Sequence, residues 1–401
     1  MSFRILVNSG PAKIYLQQTA EALEQRNILL GITGSLIFPR NSLLRRFNLR
    51  SKHVNKILRR SEGINDPRLI QRSWIGEFFW QIGIALQKKL RAGSTIDFIF
   101  WSSAVSFSWT SRKLIKRLGR QENSIYHVRS GFGGRSIELA RKMGYKIIVD
   151  HSIAHPSFLR NIEQDDKKKP TRKFALNPEI EKDLISADLV LVNSEFVKET
   201  FMKTDFEGIV KTAIPPIEES FTRKLRMKDA KRDSITFIGR CEHRKGIDRV
   251  YDIIAGLNGN FKVNIIGNWD LRDLAIKNKL EVIENVSMSS FVDRDKVAQI
   301  LSETKVFLFP SRAEGAARVV SEALHAGCVV FTTHESGIPI PTSVGYTINH
   351  LSNDQVRDRI VEIMNDENNS QYIANSRKYI KELESSYLPS LLKIYEEVKN
   401  R

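Results

Sequence analysis

The sequence is poor in cysteine and in long apolar runs. Its two cysteines, Cys241 and Cys328, are too few for a disulfide framework and too isolated for a zinc site. No stretch approaches the roughly 20 apolar residues that a membrane-spanning helix needs, and the amino terminus lacks the apolar run and cleavage site of a signal peptide. These absences predict free thiols and a cytoplasmic protein, either soluble or peripheral on the inner face of the plasma membrane.

The excess of basic over acidic residues predicts an anionic partner. Lysine and arginine total 63 against 46 aspartates and glutamates, a formal net charge of +17, and such a field attracts phosphates and anionic surfaces. Residues 40–60, from Arg40 to Arg60, interleave basic and apolar residues without an acidic one. This pattern fits either a solvated basic face or attachment to an anionic membrane surface. Nucleic-acid binding is less favoured because no recognition motif accompanies the charge.

The length and the spacing of apolar runs predict two α/β domains. A chain of 401 residues exceeds what one hydrophobic core usually organises, and short apolar runs alternate with helical patterns, as in parallel sheets covered by helices. The alternation pauses at residues 209–233, where Ile214-Pro-Pro-Ile217 predicts a stiff turn, and then restarts. We therefore expect domains at residues 1–208 and 209–380, followed by a terminal helical segment at residues 381–401.

Individual elements follow from the same patterns. Strands are predicted at residues 3–7, 29–37, 97–101, 125–129, 146–150, 189–193, 234–239, 261–267, 305–309 and 328–332, with a short one near Val282. Helices are predicted at residues 15–25, 135–143, 195–203, 246–257, 295–303, 317–326, 354–365, 370–384 and 387–399, with one near Leu271. The charged stretch at residues 164–173 is expected to be an exposed loop.

Two glutamates eight positions apart, Glu314 and Glu322, give the most specific pattern in the sequence. They belong to a segment that follows a predicted strand, with Glu314 in the loop and Glu322 inside the next helix. Backbone N–H groups at residues 315–318 would favour a diphosphate at the start of that helix. Glu322 lies about 7–8 Å further along the axis at ~1.5 Å per residue, the scale separating a diphosphate from a ribose. A carboxylate can accept hydrogen bonds from two hydroxyls, so Glu322 fits a ribose and Glu314 a sugar; the alternative is a solvated helix face.

A second pattern, Gly239-Arg240-Cys-Glu-His-Arg-Lys245-Gly246, places cations between a strand and a helix. Together with the paired glutamates it resembles the diphosphate-binding loop and the E-x7-E element of the retaining glycosyltransferases of family 4. That resemblance implies a GT-B fold, in which two Rossmann-like domains with parallel sheets face a central cleft. It also implies that Arg240 and Lys245 hold the leaving group, with Arg244 as a competing assignment for the second cation.

Weaker similarities extend the resemblance over the rest of the chain. Ile266-Gly267-Asn268-Trp269 resembles the family's turn beside the nucleotide, and the terminal helix resembles one that crosses back to the first domain. A histidine that faces the transferred sugar in many relatives is matched best by His151, with His127 as a rival. The glycine-rich turn at residues 131–134 suits an anion or a sugar near its backbone, and tight helix packing explains it equally well.

The resemblance implies a retaining, metal-independent glycosyltransferase that moves a sugar from a UDP-, GDP- or ADP-sugar to a glycan or lipid-linked acceptor, in cell-surface polysaccharide or glycolipid biosynthesis. No further cofactor and no metal is expected, and Asp293-Arg-Asp295 is interpreted as a helix cap instead of a manganese site. The implied catalytic residues are Glu314, Arg240, Lys245 and His151. The implied donor-binding residues are Gly239, Arg240, Lys245, Gly267, Asn268, Glu314, Gly315, Ala316 and Glu322.

Other functions remain open on the same pattern. The fold also serves nucleotide-sugar epimerases and phosphorylases, and a non-catalytic scaffold that binds polyanions or membranes is compatible with the charge. The cation loop and the paired glutamates favour sugar transfer.

Overall fold

The computed structural model describes residues 3–11, 14–35, 64–89, 94–165, 177–226, 231–366 and 370–401. The basic stretch at residues 40–60 and most of the charged segment at residues 164–173 lie outside these ranges. Within them the chain forms two parallel sheets, each covered by helices. The predicted fold class is therefore confirmed.

The first sheet has seven strands in the order β3-β2-β1-β4-β5-β6-β7. They are β1 (Arg4–Gly10), β2 (Leu29–Gly34), β3 (Ile70–Arg72), β4 (Ser124–Arg129), β5 (Tyr145–His151), β6 (Leu189–Val192) and β7 (Val210–Thr212). The surrounding helices are α1 (Ile14–Glu24), α2 (Trp74–Lys89), α3 (Ser94–Leu118), α4 (Arg135–Lys142), α5 (Pro156–Asp165), α6 (Asn177–Ile185) and α7 (Glu195–Met202). The central strands are buried along almost their whole length, as continuous apolar runs in parallel sheets should be.

The second sheet has six strands in the order β10-β9-β8-β11-β12-β13. They are β8 (Ser234–Ile238), β9 (Lys262–Ile266), β10 (Val286–Ser289), β11 (Thr304–Phe309), β12 (Val329–Thr332) and β13 (Gly345–Thr347). Its helices are α8 (Glu219–Arg226), α9 (Ile247–Ala255), α10 (Leu274–Glu281), α11 (Arg294–Glu303), α12 (Arg318–Ala326), α13 (Asn353–Asn365) and α14 (Ser370–Ser385). The chain leaves β8 towards β9 on one side and later returns to β11 on the other. Ligands of open α/β sheets bind at such a reversal, outside the carboxyl ends of the strands.

The last helix, α15 (Tyr387–Lys399), packs on the first sheet although it follows the second in sequence. Tyr387, Leu391 and Tyr395 belong to the apolar cluster that also contains residues of β1, α1 and β2. The hydroxyl of Tyr395 lies 2.8 Å from Nδ1 of the buried His127. The carboxyl-terminal helix therefore completes the core of the amino-terminal sheet.

Two predicted strands are wrong. Residues 97–101 lie inside α3, because their apolar side chains continue a helical period in which Ile96 and Phe100 are buried while Phe98 and Trp101 are exposed. A five-residue window cannot distinguish this pattern from a strand. The strand expected near Val282 begins only at Val286; Val282 ends α10 and is exposed. Both cysteines are free and buried, and no helix of the described ranges is long and apolar enough to cross a bilayer.

Candidate active site

Two loops meet at the reversal point of the second sheet. The first follows β8 and contains the short 3₁₀ turn His243–Lys245, which ends at Gly246 in a left-handed conformation with φ of 74°. The second follows β11 and leads into α12. A Cβ atom on Gly246 would lie 2.0 Å from the carbonyl oxygen of Pro310, so only glycine lets the two loops pack backbone to backbone.

This packing brings Lys245 and Glu314 together. The Nζ of Lys245 donates to the Glu314 carboxylate, and Nη1 of Arg244 lies 3.3 Å from the same oxygen. The Ser311 hydroxyl donates to this carboxylate over 2.8 Å. Arg244 also donates to the carbonyl of Ala313 over 2.6 Å, which ties the cation loop to the glutamate loop. The site therefore contains two cations focused on one carboxylate.

The Lys245–Glu314 ion pair is largely buried, and burial disfavours the charged form of the lysine. The side chains of Lys245 and Glu314 are only 15% and 13% exposed. Burial lowers the pKa of the Lys245 ammonium, and the charge of Glu314 partly offsets that effect. The ammonium is thus poorly hydrated and depends on an anion beside it.

Arg240 points to a neighbouring pair of carboxylates. Its Nε lies 3.0 Å from Glu242 and its Nη2 lies 3.1 Å from Asp270. Burial alone would raise the pKa of Asp270, but hydrogen bonds from Arg272 and the charges of Arg272 and Arg240 lower it. Because Glu242 also pairs with Arg244 at 2.9 Å, Arg240 is connected to the Lys245 cluster through a carboxylate.

The glycines Gly239 and Gly267 allow two strand ends to approach closely. A Cβ on Gly267, whose φ is 153°, would lie 1.7 Å from the carbonyl oxygen of Gly239. The N–H of Cys241 then donates to the carbonyl of Asn268 over 3.0 Å. These contacts fix the cation loop against the turn after β9, and they assign Gly267 and Asn268 a structural role in holding Arg240.

Glu322 is held by an arginine that the sequence analysis missed. Its carboxylate is 8% exposed and accepts from Nη1 of Arg294 over 2.9 Å. The Arg294 guanidinium in turn lies over the ring of Phe221, 3.5 Å from the centroid. Burial raises the pKa of Glu322, while the charges of Arg294 and Arg318 act in the opposite direction. No local signal identifies Arg294, since it lies 28 residues before Glu322 and belongs to the Asp293-Arg-Asp295 pattern examined for a metal.

The amide groups before α12 are only partly available. The helix begins at Arg318. The N–H of Glu314 donates to the backbone carbonyl of Glu335 over 2.9 Å, and the N–H of Ala317 donates to the backbone carbonyl of Ser336 over 2.8 Å. Backbone N–H groups at residues 315–318 are expected from the sequence to favour a diphosphate, and the N–H of Ala317 is not available for it because it is already bonded to Ser336. Ala316 lies between the two bonded N–H groups and is half-buried.

The glutamate loop also touches the first domain. A Cβ on Gly315 would lie 2.0 Å from the carbonyl oxygen of Ser152 and 2.8 Å from the Asn193 amide. The hydroxyl of Ser194 donates to the Gly315 carbonyl, and Ala313 is buried in the core cluster of the first sheet. The carboxyl edges of the two sheets thus meet directly beside Glu314.

Neither candidate histidine presents an open ring to the cleft. His127 is fully buried between Tyr395 and the Asp150 carboxylate, which lies 3.4 Å from its Nε2. His151 is 1% exposed, and its Nδ1 lies 2.9 Å from the Ser130 hydroxyl. His151 immediately precedes Ser152, which contacts Gly315 of the second domain. Of the two histidines, His151 is therefore the one beside the domain contact.

An internal carboxylate fills the glycine-rich turn of the first domain. Asp183 accepts from the N–H groups of Gly131, Gly133 and Gly134 over 2.8–2.9 Å. Burial raises the pKa of Asp183 to about 6, although these three hydrogen bonds oppose the shift. The backbone amides that would bind an external anion are therefore occupied by Asp183. Of the two interpretations of this turn, tight helix packing fits better than an anion or sugar site.

The Asp-x-Asp pattern caps a helix, as predicted. The Asp293 carboxylate accepts from the N–H of Lys296 over 2.8 Å at the start of α11, and Asp295 pairs with Lys224. Within the described part of the chain, no group of three or more His, Cys, Asp or Glu side chains could hold a metal ion.

Comparison with known proteins agrees with this geometry. Residues 219–379 match the family described as Glycosyl transferases group 1. No curated protein matches the sequence at a significant level.

Solved structures share the fold at low sequence identity. Sucrose-phosphate synthase from Thermosynechococcus elongatus has a TM-score of 0.65 and 14% identity, with 98% of each chain covered. A glycosyltransferase from Rickettsia africae has a TM-score of 0.62 and 12% identity, with 99% of each chain covered. A variant of S. aureus TarM, solved with fondaparinux, alpha-GlcNAc-glycerol and UDP, has a TM-score of 0.53 and 16% identity; the match covers 74% of this chain and 59% of TarM. These similarities establish the GT-B architecture.

Proposed function

We propose that this protein, of which residues 219–379 match the Glycosyl transferases group 1 family, is a retaining, metal-independent glycosyltransferase that moves a sugar from a nucleotide-diphosphate sugar to a glycan or lipid-linked acceptor. The observation that carries the proposal is the convergence of Lys245 and Arg244 on Glu314 at the reversal point of the second sheet. A cationic cluster at that position is where a diphosphate would bind.

The cations would stabilise the leaving group. Sugar transfer breaks the anomeric C–O bond, and negative charge develops on the departing diphosphate. The poorly hydrated Lys245 ammonium and the Arg244 guanidinium are preorganised to receive that charge in a site of low exposure, where such stabilisation is strong. In this role they replace the divalent ion of other transferases, which is the basis for proposing metal independence.

In this scheme the diphosphate competes with Glu314 for Lys245. A diphosphate carries more charge than the carboxylate, so it would draw the ammonium and release Glu314 to accept hydrogen bonds from hydroxyls of the transferred sugar. The direct contact with Glu314 favours Arg244 as the second leaving-group cation. Arg240 would act from the Glu242 side of the same cluster.

Glu322 would bind the ribose of the donor. Its carboxylate faces Arg294, whose side chain is 43% exposed and therefore able to shift. Two ribose hydroxyls donating to one carboxylate would replace the single hydrogen bond from Arg294. TarM was solved with UDP, which supports a uridine nucleotide among the UDP-, GDP- and ADP-sugars to be tested.

The acceptor would bind on the side of the first domain. His151 and Ser152 lie at the domain contact beside Gly315, so an acceptor hydroxyl entering there would reach the anomeric carbon from the face that the diphosphate leaves. Retention then follows from front-side attack, with the departing phosphate accepting the proton. The net charge of +17 and the basic residues 40–60 support an anionic or lipid-linked acceptor at the inner membrane face, in surface polysaccharide or glycolipid assembly.

The decisive experiment measures donor binding and turnover in the same protein. Thermal unfolding with UDP, GDP and ADP should show stabilisation by one of them. Incubation of the matching labelled nucleotide-sugars with a glycan or lipid-linked acceptor should release the nucleotide and label the acceptor in the presence of EDTA. Anomeric proton couplings of the product report retention or inversion. Epimerised donor in the absence of acceptor, or no response to any of the three nucleotides, would contradict the proposal.

A further inference from the structure

The outer face of helix α3 is apolar where solvent would be expected. Phe98, Trp101, Val105 and Trp109 are 62%, 43%, 45% and 49% exposed, and they recur every three or four residues, so they form one stripe along the helix. The opposite face, with Phe100, Phe107 and Leu114 among its members, is the one buried in the protein.

This stripe differs from ordinary surface apolar residues. Single exposed side chains need no explanation, but a continuous aromatic strip marks an interaction site. Phe98 and Trp101 stack on each other with ring centroids 5.8 Å apart. On the neighbouring helix α2, which packs against α3, Ile75 and Phe78 are also 57% and 62% exposed.

Three hydroxyl groups of α3 are satisfied within the helix itself. Ser102, Ser106 and Thr110 each donate to the carbonyl four residues earlier, namely Phe98, Ser102 and Ser106, over 2.8 Å in every case. Polar groups that bond within their own helix can enter an apolar environment without losing a hydrogen bond. Ser102 and Ser106, which are half-buried beside the stripe, are therefore compatible with lipid.

The charge of α3 selects the kind of partner. Its last turns contain Arg112, Lys113, Lys116 and Arg117, while Asp97 at the other end is its single acidic residue. The ammonium of Lys113 lies 3.5 Å from the centroid of the Trp109 ring, so the positive charge directly adjoins the stripe. A second copy of the chain would carry the same net charge of +17 and would be repelled from this face.

We infer that α3 lies in the interface of an anionic lipid bilayer, with Phe98, Trp101, Val105 and Trp109 inserted between the headgroups and the basic end of the helix on acidic phospholipid. Tryptophan prefers this zone, and apolar insertion combined with basic residues is how helices bind in the membrane plane. This surface involves other residues than the basic stretch 40–60, and the inference does not depend on the donor chemistry proposed above.

Vesicle flotation with the full chain tests the inference. Vesicles contain phosphatidylglycerol and phosphatidylcholine in equal parts, or phosphatidylcholine alone. The stripe variant Trp101→Ser/Val105→Ser/Trp109→Ser should lose about tenfold or more of the partitioning to anionic vesicles. The matched control Ile185→Ser/Met202→Ser/Val282→Ser removes three exposed apolar side chains elsewhere and should float like the wild type.

Two further measurements separate the alternatives. Tryptophan fluorescence of the wild type should be quenched by lipids brominated on their acyl chains, and the quenching should fall in Trp101→Phe/Trp109→Phe, which still binds. Light scattering without lipid should give the same mass for the wild type and the stripe variant. Binding of the stripe variant equal to that of the wild type, no binding by the wild type, or a dimer that the stripe variant abolishes would overturn the inference. Nucleotide-induced thermal stabilisation should persist in the stripe variant, so a failure here is distinct from a failure of the transferase proposal.

Discussion

The ammonium of Lys245 donates to the Glu314 carboxylate across 69 positions of sequence. Each group comes from a different loop, and the two loops are held in register by the contact of Gly246 with Pro310. Under the proposed function, the cation that would bind the diphosphate is occupied by an internal anion until the ligand arrives. The contact with Glu314 helps to keep the buried Lys245 charged, whereas burial alone would favour its neutral form.

Replacing Lys245 by alanine should lower transfer about 100-fold or more, since it removes a preorganised charge at the leaving group. The variant should remain folded, because the Glu314 carboxylate keeps Arg244 and Ser311 as partners. Nucleotide release from the donor measures the effect. Lys277→Ala, which removes a surface lysine paired with Glu281 on α10, is the matched control, and equal losses in both variants would contradict the assignment of Lys245.

Glu322→Gln should weaken binding of the preferred nucleotide about tenfold, since hydrogen bonds to a charged group contribute about 1.5–3 kcal/mol. The sharper readout is selectivity. Wild type should distinguish a nucleotide from its 2′,3′-dideoxy analogue more strongly than the variant does, because the amide keeps only one acceptor oxygen and loses the negative charge. Glu281→Gln on the surface of α10 serves as the control. Discrimination by the variant as strong as that of the wild type would exclude Glu322 from the ribose site.

Gly315→Ala should impair turnover by separating the domains. The added Cβ would lie 2.0 Å from the Ser152 carbonyl, so the two sheets cannot approach as observed. We expect turnover at least tenfold lower with little change in thermal stability, because the clash lies at the domain contact. Gly119→Ala forces a residue with φ of 71° but meets nothing within 4 Å, which makes it the control for backbone strain alone. Normal turnover in Gly315→Ala would show that this contact is dispensable.

The stability of the first domain should depend on the ionisation of Asp183. Its native pKa of about 6 lies above its ordinary value of 3.8, so the folded state holds this proton more tightly than the unfolded state. The resulting stability is fully present below about pH 4 and is lost as the pH rises through about 6, and a gap of about 2 units corresponds to about 3 kcal/mol.

Urea unfolding of wild type and Asp183→Asn across this range tests the assignment. The amide does not titrate, and its one oxygen cannot serve all three glycine N–H groups, so the variant should be less stable at every pH. The difference in the free energy of unfolding between the two proteins should become smaller as the pH rises. A difference that is constant with pH would mean that Asp183 does not titrate there.

Tyr395→Phe should destabilise the protein by about 1–3 kcal/mol, because it leaves the buried Nδ1 of His127 without its hydroxyl partner. Tyr251→Phe, at a half-buried tyrosine of α9, should have a smaller effect. Chemical unfolding monitored by circular dichroism compares the two. Similar losses would indicate that the hydroxyl of Tyr395 contributes little beyond its ring.

The sequence predicts the central strands of both sheets well, and it fails at residues 97–101 for a physical reason. Strands such as β8, β11 and β12 are short apolar runs bounded by glycine or polar turns, and their predicted bounds agree with the structure to within one or two residues. In the first domain, the apolar run at residues 97–101 lies on a helix with two apolar faces. Sequence periodicity predicts that an apolar face is buried in a core. Here the second apolar face, with Phe98 and Trp101, is exposed.

The candidate site was predictable as a set of residues but not as a set of contacts. The loop after β8 and the loop after β11 follow from glycine and charge at strand ends, and the structure brings Lys245 to Glu314. That Arg240 pairs with Asp270, and Glu322 with Arg294, depends on how separate elements pack, which no local pattern records. The same holds for Asp183, whose carboxylate reaches the glycine turn about 50 positions away.

The rings of Phe3 and Tyr395 lie edge to face with centroids 6.0 Å apart. The strand β1 thus packs against α15, which lies almost 400 positions later in the sequence. During translation β1 leaves the ribosome long before the helix that covers it. The apolar cluster of the second sheet extends only to Ile380, so the part of the polypeptide that is synthesised later can finish folding earlier. Until α15 emerges, the part of the nascent first sheet that α15 covers stays exposed beside α1, and this is the interval in which a chaperone would have the most to bind.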